Sequence, residues 1–159
     1  MAEDIHLINA SKEEQYLSLL PQIEGLIAGE TDFTANLANV SSALKAQFQF
    51  FWVGFYLVKG DTLVLGPFQG PVACTRIAKG RGVCGQAWQQ KQVLLVPNVE
   101  LFPGHIACSS LSKSEVVIPL FDTNGEVKAV LDVDSDSLND FDEIDVKYLS
   151  KLCALLSAN

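Results

Sequence analysis

Two short polar turns, each between segments that alternate like β-strands, constrain the fold of this 159-residue chain most strongly. The first turn is Lys59-Gly60-Asp61, and the second is Asp122-Thr123-Asn124-Gly125. Connections this short join antiparallel neighbours, so each turn predicts a β-hairpin. The predicted strands are Phe50–Val58 and Thr62–Gln69 around the first turn, and Glu115–Phe121 and Val127–Asp134 around the second.

Helical patterns surround these hairpins. Ser11 and Glu14 form a capping-box pattern before a helix that reaches Ile27, and Pro21 inside it predicts a kink or a restart. A second helix is expected from Asp32 to Phe48. The other predicted elements are a strand Pro71–Ala78 containing Cys74, a helix Val83–Gln90, a strand Val93–Val96, a loop Pro97–Ser114 and a last helix capped by Asp140–Glu143. This order predicts an α+β fold with helices packed on a mostly antiparallel sheet.

Charge and composition exclude several classes of protein. Hydrophobic residues make up 48% of the chain, as in a globular domain, and the net charge is −8. An acidic chain offers no surface for nucleic acid or for an anionic membrane. The first residues lack the pattern of a signal peptide, so a cytoplasmic location is expected, where permanent disulfides are disfavoured.

The loop Gly104–Ser110 places Cys108 among small and polar residues. Buried structural cysteines usually sit in apolar runs, whereas a loop thiol beside backbone N–H donors can hold thiolate character. A free surface cysteine is the alternative interpretation. Cys153 borders the apolar stripe of the last helix and is expected in the core.

Two aromatic residues share one face of the first strand. Trp52 and Tyr56 flank Gly54, and two rings with no side chain between them predict a slot for a methyl, thioether or cationic group. Two ordinary core aromatics would give the same pattern.

Three carboxylates are expected on one face of the second hairpin. Asp132 and Asp134 stand two apart on a strand, and Glu115 opens the partner strand. Such a cluster raises the pKa of its members and can donate a proton, bind an ammonium or hold a metal ion. A solvated acidic face is the alternative.

The cysteines and His105 also raise the possibilities of a zinc site and of a hydrolytic thiol–imidazole pair. Cys74, Cys84, Cys108 and His105 could ligate zinc, but the chain has neither a Cys-x-x-Cys pair nor a short His pair. A hydrolytic Cys108–His105 pair is disfavoured because a histidine three residues away on one loop rarely reaches the thiol. No resident metal and no cofactor are therefore predicted.

Six segments together resemble one family, the GAF-domain free methionine-(R)-sulfoxide reductases. They are Phe51–Tyr56, Leu65–Gly70, Ala73–Ile77, Gly80–Gly85, Gly104–Cys108 and Val130–Ser135. The resemblance implies a single GAF domain over residues 11–159, with residues 1–10 as an N-terminal extension. It also implies a six-stranded antiparallel sheet, with helices mainly on one face and a ligand pocket on the other.

The resemblance further implies a reaction, the reduction of free L-methionine (R)-sulfoxide to methionine. Cys108 falls on the family's nucleophile, Cys74 on its resolving thiol and Cys84 on an alternative resolving thiol, with thioredoxin as the reductant. Trp52 and Tyr56 would hold the S-methyl group. The acids Glu115, Asp132 and Asp134 would bind the α-ammonium, protonate the sulfoxide oxygen, or divide these two tasks. A GAF ligand sensor and a thiol redox sensor remain alternatives, and monomer and homodimer both stay open.

Overall fold

The computed structural model describes residues 4–159, so the first three residues of the predicted N-terminal extension lie outside the described residues. The helices are α1 Lys12–Ile27, α2 Phe33–Phe48, α3 Gly82–Gln90 and α4 Glu143–Ala158, with a 3₁₀ turn at Val99–Leu101. The strands are β1 Trp52–Lys59, β2 Thr62–Gln69, β3 Arg76–Ala78, β4 Leu94–Val96, β5 Ser114–Phe121 and β6 Val127–Ser135. Within this part of the chain, no helix has the length and apolar character needed to cross a membrane.

All six strands form one antiparallel sheet in the order β3-β2-β1-β6-β5-β4. Both predicted hairpins are confirmed, with Lys59 opposite Thr62 in the first and Phe121 opposite Val127 in the second. The two hairpins join through β1 and β6, so β6 lies inside the sheet between β1 and β5.

The two faces of the sheet carry different layers. Alternate residues such as Val53, Leu131 and Val133 pack against α1, α2 and α4 in the larger core. The residues between them face the other side, where α3 is the one helix that covers the sheet in the described part of the chain and where Trp52 and Tyr56 lie. The expected packing of helices mainly on one face is therefore confirmed, and the thinly covered face is free to form a cavity.

Two local predictions differ from the structure. Helix α1 runs from Lys12 to Ile27 without the restart expected at Pro21, which is exposed, so the carbonyl left without a donor can bond to water. Cys74 precedes β3 instead of lying inside a strand. Gly70 has a φ of 139° and Pro71 follows it, and these residues end the ladder before Cys74.

Buried polar contacts fix α1 against α4. Asp145 is 1% exposed, accepts a hydrogen bond from the Tyr16 hydroxyl at 2.6 Å and pairs with Lys12 Nζ at 2.7 Å. Its Oδ2 also accepts the backbone N–H of Asp142, which completes the capping box of α4. A helix end is thus tied to a neighbouring helix by one carboxylate.

Tyr16→Phe should therefore lower the free energy of unfolding by about 1.5–3 kcal/mol, because it removes a donor from a buried carboxylate. Urea unfolding monitored by circular dichroism measures the change. Tyr148→Phe is the matched control, because its hydroxyl bonds to the half-exposed Glu13, which water can solvate instead. Equal losses in the two variants would contradict this account.

Candidate functional site

A cavity lies on the face of the sheet that α3 covers. Its walls come from the sheet, the N-terminal turn of α3, the segment 71–73 and the loop 105–112. Six of the eight residues selected from the sequence line it: Trp52, Cys84, Cys108, Glu115, Asp132 and Asp134. The fold thus gathers residues from both hairpins, a helix and a loop.

Strand register brings the carboxylates together. Trp52, Asp134 and Glu115 form one row across β1, β6 and β5, because Asp134 pairs with both of the others. Asp132 lies in the next row toward the middle of the sheet, opposite Gly54. The missing side chain of Gly54 leaves Asp132 without a lateral neighbour on β1.

The acids form a compact cluster with the first turn of α3. The Cys84 thiol donates to Glu115 Oε1 at 3.9 Å, and Cys84 Sγ, a Glu115 oxygen and an Asp132 oxygen all lie within 4.8 Å of one another. Ser112 Oγ donates to Asp134 Oδ1 at 2.8 Å. Asp132 is 6% exposed, and its Oδ1 has no hydrogen-bond donor among the described residues. This oxygen is available to a ligand.

Burial dominates the electrostatics of the cluster. It raises the pKa of Glu115 and of Asp134 well above their usual values, and the neighbouring Asp132 charge raises both further. Burial also raises the pKa of Asp132, and hydrogen bonding with Glu115, Cys84 and Asp134 opposes this effect. Across residues 4–159, no Lys or Arg side chain forms an ion pair with any of the three acids. The site therefore favours a proton or a cationic ligand.

The four cysteines separate into two kinds. Cys74 and Cys108 form a disulfide with a Cα–Cα distance of 5.4 Å, although 34 residues separate them. Cys84 and Cys153 are buried free thiols, and burial raises the pKa of each. Cys153 lies in the core, as expected. Cys74 and Cys108 are two of the four residues that the sequence analysis considered as zinc ligands, and in the disulfide neither has a free thiol.

The aromatic pair differs from the expected slot. The rings of Trp52 and Tyr56 stack on each other with centroids 5.9 Å apart, and Phe68 packs over Gly54 and stacks on Trp52 at 5.2 Å. Tyr56 does not line the cavity, and its hydroxyl donates to the Cys74 carbonyl at 2.9 Å. Of these two rings, only that of Trp52 lines the cavity, because Phe68 packs into the space above Gly54.

Several lining groups gave little signal in the sequence. Ser112 holds Asp134, and Arg81 with Gly82 brings a guanidinium and the N-terminal end of α3 to the rim. His105 also lines the cavity, and burial lowers its pKa. Only the closeness of Ser112 to Cys108 along the chain could have indicated it, because serines are common in loops.

Comparison with known proteins agrees with this fold and cavity. The profile of the GAF domain matches residues 30–159, which makes this a GAF domain. GAF domain-containing protein A of Dictyostelium discoideum is 68% identical over 98% of this chain and 99% of its own. The free methionine-R-sulfoxide reductase of Escherichia coli is 47% identical over 92% of this chain and 88% of its own.

A solved structure gives the same result. The free methionine-R-sulfoxide reductase of Neisseria meningitidis, solved in complex with its substrate, superposes with a TM-score of 0.95. It is 53% identical and covers 98% of this chain and 93% of its own. This chain therefore belongs to the free methionine-R-sulfoxide reductase family of GAF domains.

Glu115→Gln should make the free energy of unfolding less dependent on pH. Because the pKa of Glu115 is higher in the folded chain than in the unfolded chain, wild-type stability falls as the pH rises from about 4 through the raised pKa. The variant should match the wild type near pH 4 and have a higher free energy of unfolding than the wild type at neutral pH. Urea unfolding of the wild type and the variant, each with the disulfide oxidised and reduced, measures this difference from pH 4 to neutral pH.

Glu100→Gln is the control for that measurement, because Glu100 is an exposed acid outside the cavity. Its stability should follow the wild type at every pH. A Glu115→Gln difference that stays constant with pH would show that the carboxylate is not held in an unfavourable ionised state.

Proposed function

We propose that this chain reduces free L-methionine (R)-sulfoxide to L-methionine, with Cys108 as the nucleophile. The observation that carries the proposal is the Cys74–Cys108 disulfide beside a cavity that holds three carboxylates and no paired cation among the described residues. A redox-active thiol pair and a site for a cationic ammonium are the two features that this substrate requires. Membership of the family makes the chain an oxidoreductase, which supports the same reaction.

The reaction proceeds in three steps. The Cys108 thiolate attacks the sulfoxide sulfur while an acid protonates the oxygen. The hydroxyl then passes to the Cys108 sulfur as the bond between the two sulfurs breaks, so methionine leaves and Cys108 becomes a sulfenic acid. The Cys74 thiol then attacks the Cys108 sulfur, which forms the disulfide and releases the oxygen as water. A dithiol reductant, thioredoxin, reduces the disulfide. This cycle needs a reducing compartment, so the proposal includes a cytoplasmic location.

The environment of each sulfur supports this assignment. Cys108 lies half-buried in a loop at the cavity, whereas Cys84 is buried against carboxylates that raise its thiol pKa. A thiol with a raised pKa is a poor nucleophile at neutral pH. The Tyr56 hydroxyl and the Trp52 ring N–H hold the carbonyls of Cys74 and Pro71, so the resolving thiol is anchored to β1. Cys84 keeps the role of an alternative resolving thiol.

The carboxylates divide the remaining tasks. Burial raises the pKa of Glu115 and of Asp134, and both side chains line the cavity, so either acid can hold the proton that the sulfoxide oxygen accepts. Asp132 lines the cavity with an oxygen that has no hydrogen-bond donor among the described residues, which suits the α-ammonium. Trp52 forms the wall for the S-methyl group, and Arg81 at the rim suits the α-carboxylate. A methionine inside a peptide has an uncharged amide nitrogen and would leave Asp132 unpaired.

Cysteine substitutions should separate the chemical steps. Cys108→Ser should form no methionine even in a single turnover, because the attacking sulfur is absent. Cys74→Ser should form about one methionine per chain and then stop, because attack precedes disulfide formation. Methionine release and the mass of the protein are measured after mixing with excess (R)-sulfoxide.

Cys153→Ser is the matched control, because its thiol lies in the core away from the cavity, and it should turn over like the wild type. Formation of methionine by Cys108→Ser would contradict the assignment of Cys108 as the nucleophile. Full thioredoxin-coupled turnover by Cys74→Ser with loss in Cys84→Ser would move the resolving role to Cys84. Binding of the sulfoxide without any turnover by the wild type would favour a sensor.

The free ammonium should be required for efficient turnover. N-acetylation removes its charge and leaves a buried carboxylate unpaired, which costs about 1.5–3 kcal/mol. The value of kcat/KM for N-acetylated (R)-sulfoxide should fall by about tenfold to a hundredfold. The (S) epimer should fail as well, because it exchanges oxygen and methyl and turns the oxygen toward Trp52. Coupled assays of both epimers, free and acetylated, test this, and equal rates for free and acetylated (R)-sulfoxide would contradict it.

A further inference from the structure

One cluster in the cavity has the donor chemistry of a metal site, which the reductase reaction does not need. Cys84 Sγ, Glu115 and Asp132 are buried, and one potential ligand atom from each lies within 4.8 Å of the other two. We propose that these three side chains bind Zn²⁺ and that the bound ion inhibits the enzyme by occupying the place of the substrate ammonium.

The distance between the Cys84 and Glu115 ligand atoms is close to the value for tetrahedral zinc. With Zn–S of about 2.3 Å and Zn–O of about 2.0 Å, a tetrahedral ion separates its sulfur and oxygen ligands by about 3.5 Å. Cys84 Sγ and Glu115 Oε1 are 3.9 Å apart, so a side-chain adjustment of about half an ångström brings them to bonding positions. Three protein ligands leave the fourth position for water, as in zinc sites that remain open to solvent.

The Asp132 carboxylate gives an independent indication of a cation. It is 6% exposed, lines the cavity and has an Oδ1 without a donor in the described part of the chain. Leaving such an oxygen unsatisfied is costly, and a metal ion would satisfy it. A thiolate beside two carboxylates favours zinc over magnesium or calcium, which prefer oxygen ligands alone.

The position of Cys84 makes this site independent of the redox state of the other cavity thiol. Cys84 is free while Cys74 and Cys108 are joined, so the three ligands are available in the oxidised and the reduced chain. The inhibition rests on the proposed function, because Asp132 is also the proposed partner of the ammonium. Zinc and free methionine sulfoxide should therefore exclude each other.

Zinc titration of the full chain tests the site. Metal-free protein is reduced with a phosphine, which avoids competing thiols, and Zn²⁺ is titrated against a chromophoric chelator of known affinity. One Zn²⁺ should bind per chain, and Cys84→Ser should weaken the affinity at least about tenfold to a hundredfold through loss of a ligand. Glu115→Gln should weaken it as well, and free L-methionine (R)-sulfoxide should raise the apparent Kd.

Cys153→Ser and Cys108→Ser are the matched controls, and both should bind Zn²⁺ like the wild type. Circular dichroism of each variant confirms that it is folded. Wild-type affinity in folded Cys84→Ser, or equal loss in either control, would overturn the site. If the wild-type chain binds Zn²⁺ through Cys84 but shows no reductase activity, the zinc site is supported and only the proposed function is overturned. If saturating Zn²⁺ does not change the reductase activity, the proposed inhibition is overturned and the proposed function stands.

Discussion

The pairing of β6 with β1 on one side and β5 on the other is the constraint on which the site depends. Leu131 and Val133 enter the large core, so Asp132 and Asp134 between them must face the cavity. A register slip of one residue would put both carboxylates among the helices and both apolar side chains into the cavity. The burial of two core residues therefore fixes the direction of the two acids.

The sequence predicted those parts of the site that follow from strand period and short turns. The hairpins were predictable because their turns are local, and Glu115 shares a face with Asp134 because hairpin register sets cross-strand neighbours. The environment of Cys74 was not predictable. It depends on where an irregular segment lies and on a hydrogen bond from Tyr56, 18 residues earlier. Phe68 likewise closes the space above Gly54 through packing that no local pattern encodes.

Placing three acids on the thin side of the sheet separates binding from folding. The large core contains no member of the cluster, and it is supported by α1, α2 and α4. The unfavourable burial of Glu115, Asp132 and Asp134 is confined to a cavity with a mouth. A cationic ligand favours the ionised form of these acids, so its binding offsets part of the cost of burying them.

The disulfide also closes a covalent ring around the layer that covers the cavity. Cys74 and Cys108 are 34 residues apart, and the ring between them contains β3, α3 and β4. By the chain-entropy account, cross-linking a loop of this length stabilises the folded state by about 3–4 kcal/mol. In the catalytic cycle proposed above, the molecule would alternate between a more stable oxidised form and a less stable reduced form. Resistance to heat or to proteases would then measure the fraction of chains in which Cys74 and Cys108 are joined.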